Sequence, residues 1–214
     1  MPLQNRVHPS GSLHAVSSRG TLMGNRGGRI HDPDTRNLLP ARRWASRAWI
    51  ACVLSFKGRQ RTLWGESYTE LFFLDEVTAL AAGHRPCFEC RRPDAKAFQA
   101  ALFNGLKDNQ GSESPPKAPV IDRLLHEARV GEKPSRARLR DLPAASMIVM
   151  DDQVFAIRDR ALFPWSFDGY GKPLHIDGDS VLEVVTPAPV IAALRGGYRP
   201  NWHDSARQGH ETGP

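Results

Sequence analysis

Apolar positions recur along the chain with two different periods, and the change of period marks the elements. In "LDEVTALAAG" (74–83), Leu74, Val77, Leu80 and Ala81 fall three or four residues apart, as on one helix face. Gly83 follows as the stop, because glycine takes a left-handed cap without steric cost. "PDAKAFQAALF" (93–103) is a helix with Pro93 in its first turn, and "VIDRLLHEAR" (120–129) a short amphipathic one. "TPAPVIAALRGGY" (186–198) offers Thr186 as N-cap, Pro187 at the first position and Gly196/Gly197 as the stop. Strand patterns occupy "AWIACVLSFKG" (48–58) and "RTLWGES" (61–67), joined by a Gly-containing turn. They return in "ASMIVMDDQVFAIRDRALFPW" (145–165), around a "DDQ" turn, and in "DSVLEVVT" (179–186).

Residues 104–118, "NGLKDNQGSESPPKA", show neither period and read as a linker or surface loop. The chain is thus expected to divide into an arginine-rich lobe (1–103), the linker, a β-rich lobe with flanking helices (119–207) and a frayed tail (208–214). The expected class is α+β, a small zinc-bearing N-terminal α/β lobe preceding the β-rich one.

Charge changes the picture of the first lobe. The net charge is +6 overall, but residues 1–65 hold eleven Lys/Arg against two Asp, +9, while residues 66–214 sum to −3. "SRGTLMGNRGGRIHD" and "ARRWASRAWI" interleave Arg19, Arg26, Arg29, Arg42, Arg43 and Arg47 with Trp44 and Trp49. Guanidinium groups fork onto phosphates and exposed indoles stack on unpaired bases, so the expected partner is nucleic acid, DNA or RNA. An acidic protein or a phosphorylated small molecule would meet the same charge. No apolar run approaches the ~18 residues of a membrane span. The first twenty residues lack the apolar middle of a signal peptide, so a cytoplasmic protein is expected.

The chain has three cysteines, Cys52, Cys87 and Cys90. In a reducing compartment the Cys87-x-x-Cys90 turn after a helix cap points to a metal such as zinc. A thioredoxin-like dithiol would expect a helix directly after the first cysteine, and inert buried thiols are the plain alternative. One internal echo separates shape from chemistry: "ALAAGHRP" (79–86) and "ALRGGYRP" (193–200) share a helix end, but only the first copy carries cysteines.

"FFLDEVTALAAGHRPCFECRRPDA" (72–95) resembles the C-terminal half of the metal-binding domain of the Ada family of DNA-repair proteins. The shared features are an aromatic residue, a helix ending Ala-Ala-Gly, Arg-Pro-Cys-x-x-Cys and a nearby Pro-Asp. The resemblance implies a small α/β zinc domain in which Cys87 and Cys90 are the second ligand pair. It also implies an upstream cysteine that accepts a methyl group from DNA phosphotriesters. Upstream this chain departs from the pattern, offering only Cys52 for two ligands. His31 is the preferred fourth ligand, with Asp32 beside it, and His84 the next candidate. The functional expectation is a zinc- and nucleic-acid-binding protein linked to DNA repair. The alternatives are a thiolate methyl acceptor at Cys52, a nuclease-type hydrolase using His31 and Asp32, and a protein-interaction module.

Overall fold

Asp75 starts the first helix, its Oδ1 accepting the Thr78 N–H at 2.9 Å and the Thr78 hydroxyl at 2.8 Å. Helix α1 (Glu76–Ala81) ends where the chain turns left-handed at Gly83, φ +73°. Gly83 N–H donates to Leu80 O and His84 N–H to Ala79 O. Helices α2 (Arg92–Gly105), α3 (Ala118–Val130) and α4 (Ala188–Arg195) follow. The end of α4 repeats the same two bonds, Gly197 to Leu194 and Tyr198 to Ala193, with Gly197 at φ +104°. The sequence echo is therefore an echo of helix ends. The structure, a computed structural model, describes residues 1–60, 62–106, 114–131 and 135–207.

Two six-stranded sheets complete an α+β fold. The first contains β1 (Arg6–Val7), β2 (Leu13–His14), β3 (Leu22–Arg26), β4 (Trp49–Cys52), β5 (Leu71–Phe73) and β6 (Arg85–Pro86), in the order β2-β1-β5-β3-β4-β6. It is mixed: β1 runs parallel to β5 and β6 parallel to β4. The second contains β7 (Ser135–Arg138), β8 (Met147–Met150), β9 (Gln153–Arg158), β10 (Ala161–Ser166), β11 (Gly169–Tyr170) and β12 (Val181–Val184). It is antiparallel throughout, in the order β11-β10-β9-β8-β12-β7. Two-residue turns join β8 to β9 and β9 to β10. Asp151/Asp152 and Asp159/Arg160 all have positive φ, the geometry that matches the strand twist.

Three expectations are corrected in detail. Described residues 62–67 form turns rather than a strand, and β4 pairs instead with β3 and β6. The reason is Trp64: it adopts φ +56°, its ring is buried, and its N–H groups are held by Glu70 Oε2 and Glu70 O. Thr186 does not cap α4; its hydroxyl accepts the Met147 N–H at 2.7 Å, and the cap position passes to Pro187. Of the segment expected as a linker, Asn104 and Gly105 end α2, Ala118 starts α3, and residues 107–113 lie outside the described residues; the segments either side share one core. Leu80, Phe98 and Leu102 pack in it with Ile121, Phe163 and Val190. The backbones of α2 and α4 touch: a Cβ on Gly105 would lie 1.9 Å from Ala192 O, and one on Gly196 1.9 Å from Ala101 O. The expected tail at 208–214 lies outside the described residues.

Buried polar groups stitch the same junction. Asp75 Oδ2 accepts the Tyr170 hydroxyl and the His203 N–H, and Trp165 Nε1 donates to Thr78 Oγ1. Glu76 accepts from Tyr198 and Asn201 and pairs with Arg91 at 2.8 Å. Among the described residues no helix is long and apolar enough to cross a membrane.

Candidate metal centre and its cavity

Strand pairing brings the three cysteines together. Ile50 and Ala51 of β4 lie beside Arg85 and Pro86 of β6, and Cys87 N–H donates to Ala51 O at 3.0 Å. Cys87 therefore arrives next to Cys52, the last residue of β4. The chain then turns, with Arg91 N–H on Cys87 O, before α2 begins, and that turn presents Cys90 to the same point. The three Sγ atoms lie within 4.8 Å of one another, close enough to hold a metal ion.

The surroundings favour a thiolate at Cys87 and disfavour one at Cys52 and Cys90. The Cys52 thiol is hydrogen-bonded to Cys87 and, with backbone N–H groups of Cys90 and Glu89, brings the Cys87 thiol down to about 5, against the effect of burial. The Glu89 N–H lies 3.4 Å from Cys87 Sγ. Cys52 moves the other way, raised by its bond to Cys87, by burial and by the neighbouring sulfurs. Burial and the Cys87 charge raise Cys90, although the Val53 N–H favours its thiolate. A metal ion replaces the protons that such clustered thiols otherwise share.

The sulfurs form one wall of a cavity of about 720 Å³. Its floor follows from strand alternation: Cys52 sits across from Met23, Met23 across from Phe72, and Ile50 across from Asn25. These side chains share one face of the sheet and line the cavity together with Glu70. Glu70 is 2% exposed; one carboxylate oxygen holds the Trp64 N–H, and Oε1 has no protein partner. A buried acceptor left open in a cavity suits a water or a ligand N–H or O–H. The sequence signal for it is a glutamate directly before the apolar run "LFFL" (71–74).

The histidines stand apart. His31 is buried with Nδ1 2.6 Å from Thr69 Oγ1 and Nε2 2.9 Å from Gly65 O, and it stacks on Trp64. Both nitrogens are thus used to pin the loop before β5, and His31 does not join the sulfur cluster. Asp32 accepts the Asp34 and Thr35 N–H groups, and the Thr35 bond foremost lowers its carboxyl below the ordinary value. His84 is fully buried on the opposite face of the sheet, packed on Trp49 and Phe73, with Nδ1 2.9 Å from Ala82 O.

Burial, then the charges of Arg26 and Arg129, push His84 well below its ordinary value of 6.5. The unfolded chain therefore takes up a proton that the folded chain refuses as pH falls through about 6.5. Stability is expected to decline from pH 7 to pH 5, and His84→Phe to flatten that decline. Urea unfolding of both proteins at several pH values measures it; equal slopes would contradict the assignment.

The arginines occupy different settings. Arg26 is 4% exposed and stacks 4.2 Å over Trp49, and Arg29 pairs with Glu66 at 2.7 Å. Arg42, Arg43 and Arg47 are exposed, with half-buried Trp44 beside Arg43. This band lies with Trp49, whose side chain points away from the sulfur cavity. Searches of protein-family models, curated proteins and solved structures each found no match to this chain.

Proposed function

We propose that this chain is a zinc- and nucleic-acid-binding protein, with Cys52, Cys87 and Cys90 holding the ion. The convergence of three sulfurs on the wall of a cavity is the observation that carries the reading. Zinc–thiolate bonds of about 2.3 Å in a tetrahedron place sulfurs about 3.8 Å apart, within the spread seen here. Among the described residues no further His, Cys, Asp or Glu joins the three, so a fourth ligand would be a water or a molecule bound in the cavity. An ion held this way supplies a Lewis acid and keeps the sulfurs deprotonated. The resemblance to the Ada zinc domain supports zinc and a link to DNA repair.

Exposed Arg42, Arg43 and Arg47, with Trp44, supply the nucleic-acid face. Replacing the three arginines together with Ala is expected to weaken binding to many sequences alike. The salt slope should fall by about 0.9 per lost contact on duplex DNA, or about 0.7 on a single strand. Folding should stay intact because the three are exposed. Binding titrations at several salt concentrations test this, and absence of DNA and RNA affinity at low salt would overturn it.

A second reading, an enzyme working at the metal cavity, is favoured by one observation: Glu70 Oε1 is buried there without a partner. In its methyl-acceptor form a cysteine thiolate takes the methyl group of a phosphotriester and leaves a phosphodiester. Intact-mass measurement after incubation with methylated DNA separates the two readings. We expect an unchanged mass; a single methyl mapped to Cys52 would establish the enzyme instead.

A further inference from the structure

Buried hydrogen-bonding atoms without partners are concentrated on the sheet face opposite the sulfurs. Seven such side-chain atoms occur among the described residues, and five surround Trp49: Arg26 Nε, Trp49 Nε1, His84 Nε2, His126 Nδ1 and Arg129 Nη2. Three of the five, on Arg26, Trp49 and Arg129, are N–H donors under any protonation of the histidines. The two guanidiniums flank one indole, their carbons 4.2 Å and 6.0 Å from the Trp49 ring centre. They also meet at Gly11, whose carbonyl accepts from Arg26 Nη2 and whose Cα leaves room that Arg129 Nη2 fills. The Arg129 head donates from Nη1 to Ala81 O, at 2.8 Å.

Among the described residues neither guanidinium has an acidic partner. Among the described residues the ion pairs involve other arginines, and Arg26, Arg42, Arg43 and Arg129 are in none of them. Burial, then Arg129 and Arg43, bring Arg26 down to about 9, and burial, then Arg43, bring Arg129 down to about 10. Positive charge gathered out of water without a counter-charge is strongly unfavourable unless an anion completes it. Room for one is present: a cavity of about 450 Å³ is lined by Gly11, Ser12, Arg26, Arg42 and Arg43, with no Asp or Glu in its wall.

We propose that this cavity, backed by Arg129, is a phosphate-binding pocket, in which buried Arg26 and exposed Arg42 and Arg43 grip one phosphate group from two sides. Planar, multiply donating guanidiniums suit a tetrahedral oxyanion, and the partly enclosed setting strengthens each charged bond. The phosphate could come from a nucleic-acid backbone or from a terminal or free phosphate, and the chemistry of the pocket is the same for each. The proposal shares Arg42 and Arg43 with the nucleic-acid face but does not require it: a protein that binds phosphate and no oligonucleotide would retain the pocket and lose that reading.

Calorimetric titration of the full chain with inorganic phosphate, at ionic strength held constant with chloride, is the test. Saturable binding of about one phosphate per chain is expected, weakened at least tenfold in Arg26→Met and severalfold in Arg43→Ala, both of which line the cavity. Arg43 is exposed, so its variant tests the pocket even if Arg26→Met fails to fold. An oligonucleotide with and without a 5′-phosphate distinguishes the sources: tighter binding of the phosphorylated form assigns the pocket to terminal phosphate, and equal binding, competed by inorganic phosphate, assigns it to the backbone. No phosphate binding by the native protein, or affinity unchanged in Arg43→Ala, would overturn the proposal.

Discussion

Glu76→Ala is expected to lower stability by about 3–5 kcal/mol, the usual effect of removing one partner from a buried charge pair. Glu76 is 1% exposed at the start of α1, where its carboxylate joins segments far apart in the chain. One oxygen takes Arg91 Nη2 and the Tyr198 hydroxyl; the other takes the Asn201 N–H at 2.9 Å. Without it Arg91, its side chain 3% exposed, retains among the described residues the outlying Asp94 as its acidic partner. Tyr198→Phe removes one bond and leaves the charge pair, so a loss of about 1–2 kcal/mol is expected. Urea unfolding gives both values. A Glu76→Ala loss no larger than that of Tyr198→Phe would mean that the Glu76–Arg91 pair contributes no more than one neutral hydrogen bond.

The second large effect is on metal. Cys87→Ser is expected to carry almost no zinc and to lose much of its thermal stability, since ion binding and folding are coupled where ligands come from separate elements. Cys52→Ser should behave alike, because β4 delivers that sulfur to the same point. His31→Ala provides the contrast: it should keep the ion while losing about 1–3 kcal/mol of stability from the Thr69 and Gly65 bonds. Metal analysis with thermal melting of the three variants reads this pattern. Loss of zinc in His31→Ala would make that histidine a ligand.

What the sequence revealed was short in range. The α1 stop at Gly83, its repeat before Tyr198 and the Cys87-x-x-Cys90 turn each rest on a handful of neighbouring residues, and local rules suffice for them. Cys52 could be nominated as the remaining cysteine, but its place beside Cys87 depends on β4 lying parallel to β6, which no local pattern encodes. Strands β1 and β2 have two residues each, too few for a period, and β3 carries Gly24 and Asn25 where an apolar strand signal would be expected. The 62–67 segment looked extended because Leu63 and Trp64 are apolar, yet Trp64 turns inward from a loop held by Glu70 and His31. His31 was attractive as a ligand for being near in sequence. Its bonds to Thr69 and Gly65 come from a fold-back of more than thirty residues. The polar segment 104–118 predicts two lobes, whereas the shared core forms through contacts such as Trp165 on Thr78, 87 residues apart.

The three-sulfur centre is tested most directly by zinc-edge X-ray absorption on the full chain, purified without oxygen and analysed for metal content. The account predicts about one zinc per chain, three sulfurs near 2.3 Å and one nitrogen or oxygen near 2.0–2.1 Å. Absence of zinc, or fewer than three sulfurs around it, would contradict the account.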